Sequence, residues 1–435
     1  MNYNFRKYIY FFIDRLTGSN IINHLSEIAT MNRALGSIEF EELQAKKIKN
    51  IIDFAIAQIP YYSNLSTNDV SHFPVINKNI IRDNFDKFTS KSINISKCKK
   101  VVTSGSTGTP FEVIHDRDKI IRNTADTIYF SGLAGYEIGY KLFYCKIWNE
   151  HNKKSILESW LQNITQVDVL RSDDEKIKNF IQQIRDSKGY KSILAYSSFL
   201  DEILKYCIKN KINLKNLDLK SVLSMSEALD EFTKHHLSDV CGVNVISRYS
   251  NVENGILGQQ SLDGTTAFFL NHASYYFEIL DLEKDQPVKM DVPGRIVITD
   301  LYNKAMPLIR YDTGDIGIMT YDSKLCRKIM TSISGRKMDQ IFDTNGKVIS
   351  SFTITNQMWK YTDLKQYKFI QTGPKSYKFI LNPLNPDNKF NREQELINEF
   401  KDYLGEDAII IVDYTHEIPL LDSGKRRKVV QEFYI

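Results

Sequence analysis

Cysteine is scarce in this chain. The five thiols, Cys98, Cys145, Cys207, Cys241 and Cys326, are odd in number and fall at no C-x-x-C or Cys/His ligand spacing. That pattern excludes a disulfide framework and predicts reduced thiols in a cytoplasmic protein. Charge of one sign is lacking too. Lys plus Arg number 57 against 53 Asp plus Glu, a net +4, which supplies no electrostatic argument for nucleic acid as a partner. No uncharged apolar run is long enough to cross a membrane. Residues 1–20 come nearest, but Arg6, Lys7, Asp14 and Arg15 interrupt them and no small-residue cleavage site follows. The expectation there is an amphipathic first helix packed on its domain, rather than a membrane-surface anchor. Internal repeats and low-complexity tracts are absent, and so is a Walker A loop, because Gly108 is not followed by Lys and Ser/Thr.

What the chain does have is bulk. With 435 residues, 42% of them apolar and 12% aromatic, it can bury a large core, and its length suggests two or three domains. Residues 42–59 place Leu43, Ile48, Ile51, Ile52, Ala55, Ile56 and Ile59 at helical spacing before Pro60, so a helix with one buried face is expected. A second helix is expected after a capping box at Ser172 and Glu175. Strand-like runs at 192–196, 220–224 and 243–247 alternate with helical segments at 199–210 and 227–239, which predicts parallel strands with crossover helices. From about 264 the runs become closely spaced strands, and after about 340 a smaller α+β section follows, with strands at "YKFIL" and "AIIIVDY" around a helix at about 391–403. The expected fold class is α/β: a large N-terminal domain, 1–334, and a small C-terminal α+β domain, 335–435, with the boundary near 334–343.

Five short stretches carry candidate chemistry. "TSGSTGTP" (103–110) reads either as a turn between strands or as a loop whose backbone N–H groups and hydroxyls hold phosphate without a lysine. "SRYSNVENG" puts Tyr249 and Glu253 four apart beyond a strand ending near Ser247, where ligands bind in open α/β sheets. Glu253 there is either a surface residue or a carboxylate holding Mg²⁺ against phosphate oxygens. "LIRYDTGDIG" (308–317) groups Arg310, Asp312 and Asp315 around a Thr-Gly turn, either a polar hairpin or a carboxylate suited to a ribose diol. "SGRKMD" (334–339) and "PLLDSGKRRK" (419–428) complete the series, the latter with Lys425 after a glycine.

In this order and spacing, these motifs resemble the adenylate-forming superfamily of acyl-CoA synthetases, luciferases and peptide-synthetase adenylation domains. Within it the chain looks most like the phenylacetate:CoA ligase branch, especially its capsule-biosynthesis (CapK-type) members. "AQIPYYSNL" (57–65) and "FPVINKNIIRDNF" (73–85) look like that branch's approach to the phosphate loop. The resemblance runs from about 45 to 430.

It implies an AMP-forming ligase, using ATP and Mg²⁺, that adenylates a small-molecule carboxylic acid with release of pyrophosphate. The acyl group then passes to coenzyme A or another thiol or, alternatively, to an amine such as an amino sugar in capsule or surface-polysaccharide biosynthesis. Thr103, Ser104, Gly105, Ser106, Thr107 and Gly108 would hold the β- and γ-phosphates. Phe111 stands where the superfamily often has a lysine, as is common in this branch. Tyr249 would stack near adenine, with Ser226 and Glu227 of "SMSEAL" as neighbours. Glu253 would bind Mg²⁺, Asp315 would grip the ribose hydroxyls, Arg336 would approach the nucleotide, and Lys425 would reach the α-phosphate and the carboxylate. The resemblance also implies a multi-sheet large domain and a small domain mobile about a hinge near 335–339, at Asp339 or its neighbour; Met338 stands where many members carry a charged hinge residue, and Lys428 where an arginine often ends the last motif. Tyr129, Phe130, Tyr144, Trp148 and Tyr196 fall in the segments that form the acyl pocket, although core packing explains them equally well. Some relatives carry a Cys/His metal cluster; none is grouped here, so no zinc is expected. The acid, the acceptor and the oligomeric state, a homodimer included, stay open.

Overall fold

The computed structural model describes residues 4–18, 20–103, 111–148, 153–170, 173–336, 341–349, 354, 357–358, 360–361, 363–384, 390–419 and 428–432. Two compact units emerge: Met1–Leu229 with Thr233–Ile333, and Asp230–Phe232 with Ser334–Ile435.

The first unit begins with three helices, α1 (Phe5–Thr17), α2 (Ile21–Arg33) and α3 (Ile38–Gln58). The long one fulfils the expectation for 42–59, with Ile51, Ile52 and Ala55 buried on one face and Ser37 capping its start. An antiparallel hairpin follows, β1 (Lys99–Thr103) with β2 (Phe111–His115), Thr103 lying opposite Phe111. The main sheet has eleven strands: β3 (Lys141–Lys146), β4 (Ile164–Asp168), β5 (Lys191–Tyr196), β6 (Leu219–Met225), β7 (Val245–Asn251), β8 (Gly255–Gln260), β9 (Phe268–Leu270), β10 (Tyr275–Leu280), β11 (Pro293–Asp300), β12 (Tyr311–Asp322) and β13 (Arg327–Arg336). Their spatial order is β10-β11-β12-β13-β9-β8-β7-β6-β5-β3-β4.

One end, β4-β3-β5-β6-β7, is parallel, as the alternation of apolar runs and helices predicts. The change comes within β7. Its first half pairs in parallel with β6 as far as Ser247, and from Arg248 it pairs antiparallel with β8. The strand therefore does not end near Ser247, as the sequence suggested, but continues to Asn251, so Tyr249 lies inside it. A second boundary also moves. The helix Asp174–Asp186 is capped by Asp173, which accepts from the Lys176 N–H, in place of the expected Ser172, which lies outside the described residues. Either residue type can cap, and only the backbone turn selects between them.

The second unit holds a four-stranded sheet, β18-β17-β16-β19 once the short pair β14 (Ile341–Phe342) and β15 (Val348–Ile349) is passed. In chain order these are β16 (Leu364–Gly373), β17 (Ser376–Pro383), β18 (Ile409–Tyr414) and β19 (Val429–Gln431). The helix Glu393–Leu404 buries Leu396, Phe400 and Leu404, four apart, and Phe400 meets Phe379 edge-on at 4.8 Å.

Candidate functional site

The turn between β7 and β8 carries Glu253, which is 2% exposed. A carboxylate buried to that degree must be paired. Its Oε1 accepts from the Tyr311 hydroxyl at 2.8 Å and faces the Lys78 ammonium at 2.8 Å. Burial by itself would raise the Glu253 pKa, but the charge and hydrogen bond of Lys78, with the Tyr311 hydroxyl, hold it below the usual carboxylate range. The Glu253 carbonyl lies 2.8 Å from His115 Nε2. A carbonyl only accepts, so that nitrogen carries the proton. Burial, then the charge of Lys119, lowers the His115 pKa to about 4, so the ring is neutral at pH 7. The turn is also tied from the next residue, because the Tyr275 hydroxyl donates to the Asn254 carbonyl and receives from Lys119.

Lys78 reaches Glu253 because the segment before it is laid along β12. Ile76 forms a parallel bridge with Tyr311, its N–H donating to the Arg310 carbonyl and its carbonyl accepting from Asp312. Asn77 then caps the helix Lys78–Asp83 by accepting from two backbone N–H groups. The Lys78 ammonium also stands 5.4 Å from the Phe111 ring centroid, and Phe111 lies parallel to Tyr311 at 6.4 Å. Phe111, which takes the place of a family lysine in sequence, is thus a buried ring, and the cation beside Glu253 comes from the 73–85 segment.

Asp315 is presented by a bulge, and not by the hairpin turn that "LIRYDTGDIG" admitted. β12 pairs with β11 at Asp312 opposite Val297 and again at Ile316 opposite Arg295, so Thr313, Gly314 and Asp315 stand against Ile296 alone. Gly314 has φ +80°, which an L side chain rarely adopts, so the bulge depends on glycine. Asp315 Oδ2 accepts from the Tyr249 hydroxyl at 2.8 Å, and the same hydroxyl lies 3.3 Å from Thr313 Oγ1. Burial, followed by the Asp315 charge, pushes the Tyr249 pKa well up, so the phenol stays protonated and donates. The neighbouring charges have structural duties. Arg310 pairs with Glu278 and donates to the Ser71 and Phe73 carbonyls, while Asp312 pairs with Arg295 at 2.8 Å.

On the parallel side, Glu227 follows β6, and Ser226 before it has φ +70°. Glu227 Oε2 accepts from the Ser198 N–H at 2.9 Å, in the first turn of the helix Ser197–Lys209, and its carbonyl accepts from Ser197 Oγ at 2.8 Å. Its other oxygen, Oε1, is buried with no hydrogen-bond partner among the described residues. Tyr144 and Tyr196 share one cluster with Leu194, Leu223 and Met225, and the Trp148 ring stands edge-on to Tyr144 at 5.0 Å. Tyr129 packs elsewhere, with the α2 and α3 cluster, and Phe130 is buried with its carbonyl accepting from Gln259.

The structure therefore brings Tyr249 and Asp315 together, with Glu253 in the turn that follows Tyr249's strand. It separates Tyr129 from Tyr144 and Tyr196. Ser104, Gly105, Ser106, Thr107, Gly108, Met338, Asp339 and Lys425 lie outside the described residues, as do the side chains of Thr103 and Arg336. Sequence reasoning missed Lys78 and Tyr311. The signal for both was present, since each lies inside a stretch already singled out, but nothing local links 78 to 253.

No family model matches the chain. Among curated proteins it is similar to the phenylacetate-coenzyme A ligase of Aromatoleum evansii, 21% identical over 426 residues, covering 90% of this chain and 94% of that protein. The phenylacetate-coenzyme A ligase of Thermus thermophilus is 21% identical over 325 residues, covering 69% and 71%. Among solved structures, a 2-hydroxyisobutyryl-CoA ligase in complex with an acyl-adenylate superposes with a TM-score of 0.69 at 14% identity, covering 91% of this chain and 90% of that one. The amide bond synthetase McbA from Marinactinospora thermotolerans gives 0.52 at 13% identity, covering 76% and 67%. The chain has the fold of the adenylate-forming CoA ligases.

Proposed function

We propose that this protein is an AMP-forming ligase that adenylates a carboxylic acid with ATP and passes the acyl group to coenzyme A or another thiol. The observation that carries the reading is the placement of Asp315, raised on a glycine-dependent bulge and oriented by Tyr249, together with Glu253, buried beside Lys78 in the turn just past β7, the strand in which the sheet changes from parallel to antiparallel. Open α/β sheets bind their ligands at such points.

In this reading Asp315 accepts the ribose hydroxyls, and the unpaired Oε1 of Glu227 accepts the amino group of adenine. Glu253 suits Mg²⁺, which is ordinarily held by one or two carboxylates plus substrate phosphates. The metal, when bound, would offset charge on the phosphate oxygens. Lys78 would release Glu253 and stay close as a second cation, and residues 103–108 would hold the β- and γ-phosphates. A carboxylate oxygen of the acid attacks the α-phosphorus as the bond to the bridging oxygen breaks, and pyrophosphate leaves. Lys425, with Arg336, would stabilise the negative charge gathered on the α-phosphate and the attacking carboxylate. The thiol then loses its proton, its sulfur attacks the acyl carbon, and AMP departs. Alternation of the small C-terminal domain about 335–339 would separate the two half-reactions. In this reading Tyr144 and Tyr196, which share one cluster, would line the acyl pocket and suit an aromatic or otherwise compact acid.

A second reading has an amine in place of the thiol, giving an amide, for example on an amino sugar in capsule or surface-polysaccharide assembly. The fold shared with an amide bond synthetase supports it. Exchange of labelled pyrophosphate into ATP across a panel of acids tests the first half-reaction, and added CoA or amino sugars separate the acceptors. Exchange with at least one acid is expected; no exchange with any acid, together with unmeasurable ATP binding, would sink both readings. Tyr249→Phe removes the hydroxyl that orients Asp315, so ATP affinity measured by calorimetry should fall about tenfold, in line with one hydrogen bond to a charged group. Unchanged affinity would take Asp315 out of the nucleotide site.

A further inference from the structure

Helix α1 is turned the wrong way for a helix whose outer face meets water. Its one buried residue is Asp14, which accepts from the Ile21 and Ile22 N–H groups, while Tyr10 and Phe11 pack against the α2 and α3 cluster and Lys7 pairs with Glu137 at 3.0 Å. Its exposed face is an unbroken apolar stripe, Phe5, Tyr8, Ile9, Phe12, Ile13 and Leu16, at the three- and four-residue spacing of one helical side. Phe12 is 62% and Leu16 71% exposed. The stripe continues onto the helix Ile156–Gln162, where Ile156, Leu157 and Trp160 are exposed, Ile156 at 92%. Arg6 joins the two, its guanidinium 5.5 Å from the Phe5 ring centroid and 5.2 Å from that of Trp160. Together these side chains expose on the order of 1,000 Å² of apolar surface, above the roughly 300–600 Å² of the largest patch on an ordinary monomer.

We propose that this face docks on an anionic lipid bilayer, with α1 lying in the plane of the interface. The composition suits that surface: phenylalanine, leucine and isoleucine for the acyl boundary, with Tyr8 and Trp160 for the headgroup level. The charges at its margin are complementary to anionic headgroups. Arg15 is exposed near the C-terminal end of the stripe, beside Arg117, whose guanidinium donates to the Thr17 and Gly18 carbonyls, and Lys153 is exposed before the helix Ile156–Gln162. Of the acids close by, Asp14 is buried, Glu137 is paired with Lys7, and Glu158 is paired with Lys154 at 3.9 Å. A second copy of the chain fits less well. Two-fold pairing of antiparallel α1 helices would bring the Arg6 end of one against the Arg15 and Arg117 end of the other, like charge against like. No helix among the described residues is long and apolar enough to cross a membrane, so contact would stop at the interface. The inference does not rest on the ligase reading.

The test is co-sedimentation of the full chain with vesicles of phosphatidylcholine alone and of phosphatidylcholine with one quarter phosphatidylglycerol. Binding to the anionic vesicles, weakened by salt, is expected, with at least a tenfold loss for Phe12→Glu combined with Leu16→Glu. Both side chains are exposed, so the double variant should keep the circular-dichroism spectrum and urea midpoint of the parent chain, which report that it is folded. A blue shift of tryptophan emission on anionic vesicles, lost in Trp160→Phe, would place that ring in the interface. No sedimentation with either vesicle, or equal binding by the double variant, would overturn the proposal. So would a parent chain that ignores vesicles but sediments as a dimer in ultracentrifugation while the double variant is monomeric, which would assign the face to a second copy.

Discussion

Glu253→Gln is expected to lower the rate of pyrophosphate exchange by about 10²- to 10³-fold, the usual loss when one preorganised charge-stabilising group is removed. The amide keeps the shape of the carboxylate and an acceptor for the Tyr311 hydroxyl, so the β7–β8 turn should survive; what disappears is the charge that Lys78 pairs with and that Mg²⁺ would use. ATP affinity without metal should change only a few-fold, while the Mg²⁺ concentration for half-maximal exchange rises. If the Mg²⁺ dependence of Glu253→Gln equalled that of the parent chain, Glu253 would be a structural partner of Lys78 and nothing more. Lys425→Ala provides the companion measurement. Exchange should drop by a comparable factor with ATP affinity nearly unchanged, because a group that acts on the developing transition state contributes little to ground-state binding. Parent-like exchange in that variant would remove Lys425 from the α-phosphate.

Acid should destabilise the first unit between about pH 6.5 and 4 through two buried histidines. His115 and His272 are both buried with pKa values lowered from 6.5 to about 4, in each case by burial first. Charge near His115 acts in the same sense through Lys119, whereas the hydrogen bond to the Lys328 carbonyl partly opposes the shift at His272. Above pH 6.5 each imidazole is neutral whether the chain is folded or not, and no penalty arises. Between about pH 6.5 and 4 the unfolded chain binds a proton that the native state refuses, so stability falls by about 1.4 kcal/mol per pH unit for each ring. The loss reaches roughly 3 kcal/mol per histidine near pH 4 and levels off below it. Glu253, whose folded pKa is lowered, adds stability that is present above its unfolded value and is lost only at more acid pH. Urea unfolding from pH 7.5 to 4.5 checks this. His115→Gln retains an N–H for the Glu253 carbonyl and should flatten the slope by about half, and an unaltered slope would show that His115 is protonated in the native state.

Much of the architecture is short-range and was legible in the sequence. The apolar spacing of 42–59 is a local property of a 3.6-residue helix, and the runs at 192–196 and 220–224 are local signatures of strands buried on both faces. The departures occur where a distant partner decides. "LIRYDTGDIG" reads as a turn because Thr-Gly is turn chemistry, yet β11 on its flank converts those residues into a bulge. Tyr249 appeared to follow its strand because the strand-like run 243–247 stops at Ser247, and only pairing with β8 extends the strand beyond it.

By itself the sequence determined the α/β class, the order of the motifs and the chemical types at the candidate site: glycine and hydroxyls at 103–110, a glutamate at 253, an aspartate at 315 and a lysine at 425. Each is a property of composition and near spacing. The tertiary structure decided which charge meets which. It set Lys78 on Glu253, Tyr249 on Asp315, and Arg310 and Asp312 in structural pairs, and it turned the apolar side of α1 outward. Those outcomes depend on which distant strands and helices lie side by side, and ion pairing and burial act over a few ångströms of space whatever the separation along the chain.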